Sequence, residues 1–179
     1  MTSSVTAVEE LELAGWRREI AELYAAVRRA PTPQEGHALW RAGRDRLFAE
    51  HPQSPLVAGD PLRAGLRYAP YDPRLRYELT LEPDRTDQRL TIPTGAGETT
   101  HLRRLGHIEL PSPVDASVVV WWLEQYGGGV FLPIRDQTAG TTSYGGGRYL
   151  LDTAKGADLG SDHVRLTVDL NFLYHASCR

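Results

Sequence analysis

The chain has 179 residues, 41% of them hydrophobic and 24% charged, with 20 basic and 23 acidic side chains for a net charge of −3. A length and composition of this kind bury a self-sufficient core, which excludes disordered, collagenous and coiled-coil readings. The slight acidity argues against nucleic acid or an anionic membrane surface as a partner, the lone Cys178 cannot form an internal disulfide, and no apolar run reaches the roughly 20 residues of a membrane span.

Met1-Thr2-Ser3-Ser4 lacks the basic and apolar regions of a signal peptide, so a soluble cytoplasmic protein is expected. The expected organisation is a single domain over 1–179, with a helical hairpin in 1–52 serving a β domain in 53–179.

Thr6 followed by Glu9 has capping-box spacing, and Leu13, Trp16, Ile20, Leu23 and Val27 then draw one apolar helical stripe that Pro31 ends. Thr32-Pro33-Gln34-Glu35 is a second helix start, with Trp40, Leu47 and Phe48 on its apolar side and Pro52 at its close. The stripe either covers a sheet or pairs across a two-fold axis in a homodimer.

From Ser54 the texture changes. Prolines punctuate a loop carrying Leu66, Tyr68 and Tyr71, expected to pack across a sheet edge. Alternation over Leu75–Glu82 predicts a half-buried strand. Arg89–Ile92, Thr99–Leu105 and His107–Leu110 are further short strands, the first ended by a turn at Pro93-Thr94-Gly95-Ala96-Gly97. Val118–Leu123 is apolar on both sides, as a strand covered on both faces requires. Val130–Ile134 pairs back on it, and Arg148–Asp152 and Val164–Leu170 complete about eight strands. Short strands with Gly/Pro turns and no intervening helices predict an α+β, mainly β fold: an antiparallel β-sandwich or barrel preceded by an N-terminal helical hairpin.

The densest polar information lies between Phe131 and Asn171. A loop of about a dozen residues separates two strands, with Asp136 and Arg148 at its mouths, where a carboxylate–guanidinium pair would pin it closed. Alternation in the last strand puts Arg165, Thr167, Asp169 and Asn171 on one polar face. Convergence of Asp136, Thr138, Tyr144, Arg148, Asp169 and Asn171 would form a site for a small polar or anionic molecule, with Arg148 as anion clamp and Tyr144 as wall. In a hydrolase-type alternative, Asp136 or Asp169 is a general base oriented by Asn171. In a third reading the same residues are a structural ion-pair network within a protein-interaction module.

Other chemistries have less to stand on. His101 and His107, or His163, His175 and Cys178, offer metal-ligand atoms without a compact ligand spacing, so no metal and no cofactor is expected. A G-x-S-x-G elbow is missing, and Gly145-Gly146-Gly147 lacks the lysine of a phosphate-binding loop.

Asp136-x-Thr138-x-Gly140, Tyr144-Gly145-x-Gly147-Arg148-Tyr149-Leu150 and Asp169-x-Asn171-x-x-Tyr174 resemble the signature of the domain-of-unknown-function 1684 family of bacteria and archaea. Arg44-Asp45, Ser54-Pro55-Leu56 and Gly65-Leu66-x-Tyr68 resemble that family's N-terminal half. The likeness covers most of the chain and implies an uncharacterised protein, with no established activity to carry over. Leu170 and His175-Ala176 depart from the family's usual Asp-Phe-Asn and Tyr-Asn-Pro, and the family usually continues past the first cysteine into a proline-rich segment bearing a second.

Overall fold

A computed structural model describes residues 6–93 and 99–175. The expected turn at Pro93–Gly97 and Cys178 therefore fall wholly or largely outside the described residues. The chain divides into two compact units, Met1–Pro70 and Tyr71–Arg179.

The first unit is the helical hairpin, α1 (Ala7–Arg28) and α2 (Pro33–Glu50), with the segment that follows it. Both helices start as their sequences dictate. Thr6 accepts from the Glu9 N–H while Glu9 accepts from the Thr6 N–H, and Thr32 accepts from the Glu35 N–H with Pro33 in the first turn.

The apolar stripe of α1 packs on α2. Leu23 lies so close to Gly43 that a Cβ there would sit 2.5 Å from its Cδ1, and Trp16 tilts against Phe48. Tyr24 and Trp40 are fully buried and joined by a 3.1 Å hydrogen bond from the indole N–H to the phenol oxygen. Residues 54–68 fold back on α2. Arg63 donates to the carbonyls of Ala49 and Leu56, and Asp45 accepts from the Leu66 N–H at 3.0 Å and the Tyr68 hydroxyl at 3.1 Å. The loop carries its polar side chains to the open carbonyls and the carboxylate of α2, and periodicity has no signal for such contacts.

The second unit contains two antiparallel sheets. One has the order β1 (Arg76–Thr80), β9 (Arg165–Asp169), β8 (Ser161–Asp162). The other runs β2 (Glu82–Pro83), β4 (Thr99–Leu110), β5 (Ala116–Leu123), β6 (Val130–Ile134), β7 (Arg148–Asp152), with β3 (Arg89–Pro93) also paired to β4. The α+β architecture of two helices and then antiparallel sheet is as expected from the sequence. Of the two β arrangements considered, a closed barrel is not formed among the described residues.

Two expected strands, Thr99–Leu105 and His107–Leu110, are one. The strand bulges at Leu105, between Arg104 and Gly106, and does not break, and β2 lies so close to Gly106 that a Cβ there would be 2.1 Å from the Glu82 carbonyl oxygen. The single strand expected over Leu75–Glu82 is instead divided at Leu81, whose N–H donates to the Val164 carbonyl. As its sequence predicts, β5 is buried on both faces, Val120 on one and Trp121 on the other. Trp121 packs with Leu102, Leu123 and Phe131, and Tyr149 leans on the same cluster. No helix among the described residues is long and apolar enough to cross a membrane.

Candidate functional site

The loop between β6 and β7 is built by its own side chains. Asp136 follows β6 and accepts through Oδ1 from the Thr138 N–H at 2.8 Å and from the Thr138 hydroxyl, an Asx turn that reverses the chain. The Thr138 carbonyl then accepts from the N–H groups of Thr141, Thr142 and Ser143, and the Thr138 and Ser143 hydroxyls meet at 2.8 Å. Arg135 donates to the Gly145 carbonyl at 3.1 Å across the loop.

Pairing of Ile134 with Arg148 brings the mouths together, and an Arg148 Nη2 hydrogen donates to Asp136 Oδ2, the pair that the sequence predicts. At the mouth, Gly147 holds φ at +89° with its α-carbon against the Ile134 carbonyl, a place where a Cβ would meet that oxygen at 2.7 Å. The Thr138 hydroxyl most of all, with its N–H and Arg148 adding to it, holds the Asp136 carboxyl below the usual carboxylate range against the opposing effect of burial. Arg148 keeps 27% of its side chain exposed, and among the described residues its only polar partner is Asp136.

Tyr144 lies in this loop, 58% exposed, and its carbonyl accepts from the Gly147 N–H in the turn leading to Arg148. Its ring rests on Gly146, where a Cβ would stand 2.6 Å from Cε1, and meets the His175 ring edge-on at 6.4 Å. His175 reaches it because Tyr174 and Tyr149 exchange both backbone hydrogen bonds, which lays the C-terminal segment beside β7.

Asp169 and Asn171 sit in a different network. The strand ends at Asp169, and Leu170–Phe172 is a 3-10 turn, so the alternation that would put both side chains on an open polar face stops one residue too soon. Asp169 is wholly buried and accepts through Oδ1 from the N–H and Nδ2 of Asn171, with Tyr71 and Arg76 facing Oδ2 at 3.5 and 3.8 Å. Asn171 exchanges hydrogen bonds with the Asp72 backbone, accepting from its N–H and donating to its carbonyl, both at 2.8 Å. Desolvation first, then the Asp169 charge, raise the Tyr71 hydroxyl above its ordinary range. Sequence reasoning missed Tyr71, Asp72 and Arg76 as partners here. The available signal was the register of β1 on β9, which sets Arg76 opposite Asp169.

The histidines considered as metal ligands are dispersed. His101 meets Thr91, His107 lies among Glu82, Asp84 and Glu109, and His163 is exposed beside Asp162. Among the described residues no three histidine, cysteine or carboxylate side chains are placed to hold a metal ion.

Among the described residues, two helices, two antiparallel sheets and a self-ordered loop closed by an Asp–Arg pair define an α+β protein. The chain belongs to the DUF1684 family, described as proteins of unknown function, whose model matches residues 64–179. The Gly65–Tyr68 and later motifs fall inside the matched segment, while Arg44-Asp45 and Ser54-Pro55-Leu56 precede it. No curated protein matches the chain. A solution NMR structure of an uncharacterized protein from gene locus rrnAC0354 of Haloarcula marismortui is similar, at 29% identity over 75% of this chain and 73% of that one, with a TM-score of 0.48.

Proposed function

We propose that this protein binds a small anionic molecule at the 135–148 loop, with Arg148 as the anion-holding residue and Asp136 as the group that positions it. The observation that carries the reading is the state of Arg148: oriented by one bond, reachable from solvent, and using one of its five N–H donors on the described residues. Arg135, Asp136 and Arg148 are the charged residues of 135–148, so the loop carries a net charge of +1 in a chain of net charge −3. Thr138 fixes the carboxylate, the carboxylate fixes the guanidinium, and Tyr144, at the start of the turn that leads to Arg148, is the proposed wall. Asp169 and Asn171, fully engaged with Tyr71, Asp72 and Arg76, hold the β1 approach and stay outside the ligand set.

Binding is favoured over general-base catalysis by the same contacts. A carboxyl held below its usual range, as Asp136 is, is a weak base at neutral pH. The test is an NMR titration of the Arg148 side-chain N–H and the loop amides with acetate and with inorganic phosphate. Saturable shifts confined to the loop are expected, weakened at least tenfold in Arg148→Ala and partly retained in Arg148→Lys, which keeps the charge and loses the fork. Shifts unchanged in Arg148→Ala, with the Thr138 amide confirming an intact loop, overturn the assignment, as do no shifts at all.

A further inference from the structure

Resting on the anion reading, we infer that the loop prefers an anion carried on a planar ring, in its simplest form an aromatic carboxylate, with the ring laid against Tyr144. Tyr144 is a large side chain with 58% of its surface open. Two neighbours fix its ring. Gly146 lies under it, where a methyl group would overlap Cε1 at 2.6 Å and come within 3.3 Å of two further ring atoms. His175 meets it at 73° between planes, an edge-to-face contact.

The Gly147 N–H to Tyr144 carbonyl bond, 3.0 Å long, closes a turn whose next residue is Arg148. Tyr144 and Arg148 therefore flank one tight turn, which fixes the spacing of their backbone positions. A phenol ring loses little entropy when it takes a stacking partner, because it has only two side-chain torsions and here both are already constrained. The chemistry that uses both ends of the turn together is a negatively charged head on a flat apolar body. The carboxylate takes the free donors of Arg148, and the ring takes the open surface of Tyr144.

The experiment compares acetate, cyclohexanecarboxylate and benzoate on the full chain by the same loop resonances. Benzoate is expected to bind about three- to tenfold more tightly than cyclohexanecarboxylate, the range that an added ring–ring contact supplies. Tyr144→Ala should remove that preference, and Tyr144→Phe should keep it. Gly146→Ala should also reduce it, since the added methyl displaces the ring without touching Arg148. If acetate binds and benzoate is no tighter than cyclohexanecarboxylate, or if Tyr144→Ala leaves the preference intact, this inference fails and the anion reading survives. If neither acetate nor benzoate moves the Arg148 signals, both fall together.

Discussion

Asp136 and Asp169 are the same device used in two surroundings. Each follows or ends a strand, accepts through Oδ1 from the N–H two residues on and from that residue's side chain, and turns Oδ2 toward an arginine. Yet Asp136 keeps 37% of its side chain in solvent and Asp169 none. Arg76 donates to Glu78 at 2.8 Å beside a carboxylate sealed by Tyr71 and Asn171, whereas Arg148 meets a single carboxylate that is itself open to solvent; the two arginine side chains are similarly exposed, at 31% and 27%. The same local turn is sealed in one place and open to solvent in the other.

The sharpest break of this comparison is a matched pair of alanine substitutions followed by urea unfolding. Asp169→Ala removes a fully buried carboxylate that accepts from the half-buried Asn171 and Tyr71 and faces Arg76, and is expected to cost roughly 3 kcal/mol. Asp136→Ala loses an exposed turn cap and a surface pair, for about 1 kcal/mol. Equal costs would mean that the two turns are not distinguished by burial.

That contrast also marks how far the sequence could be read. Asp136 and Arg148 were legible as a pair because a strand–loop–strand pattern forces the two mouths of a hairpin loop together, whatever the loop does. Asp169 and Asn171 were legible as motif residues but not in their partners. Alternation assumes that the strand continues, and it stops at Asp169, where the side chain caps a 3-10 turn. The other half of that network, Tyr71 and Asp72, lies 98 and 99 residues from the groups it meets, a separation that no local pattern spans. Likewise the helix caps were local and readable, while the return of Leu66 and Tyr68 to Asp45 depended on tertiary folding of the chain onto α2.

A smaller effect comes from the backbone of the loop mouth. Gly147→Ala must hold an L side chain at φ +89° with its Cβ pressed on the Ile134 carbonyl, whereas Gly140→Ala meets the left-handed penalty at φ +84° with open space around it. Both are destabilising, Gly147→Ala by about 2 kcal/mol and Gly140→Ala by about 1 kcal/mol. The amide shift of Thr138 should move in the first and stay in the second, because the first displaces the strand mouth that Asp136 leaves. A reversed order would place the strain at the tip of the loop and not at the Asp136–Arg148 closure.

The smallest expected effect tests the charge itself. Thr138 and Arg148 lower the Asp136 pKa in the folded state, so its contribution is fully present above the ordinary aspartate value of about 3.9 and is lost as pH falls through the lower folded value. The stability difference between wild type and Asp136→Asn should therefore be flat from about pH 6 to 8 and shrink below about pH 4. Asp72 is also held low, by its side-chain and backbone bonds from Arg74, but it is present in both proteins and cancels in the difference. Urea midpoints across that pH range read the effect directly. A gap that stays constant down to pH 2 would assign the closure to the shape of the Asx turn, since an asparagine oxygen can still accept from Thr138, and would deny the carboxylate its part in aiming Arg148.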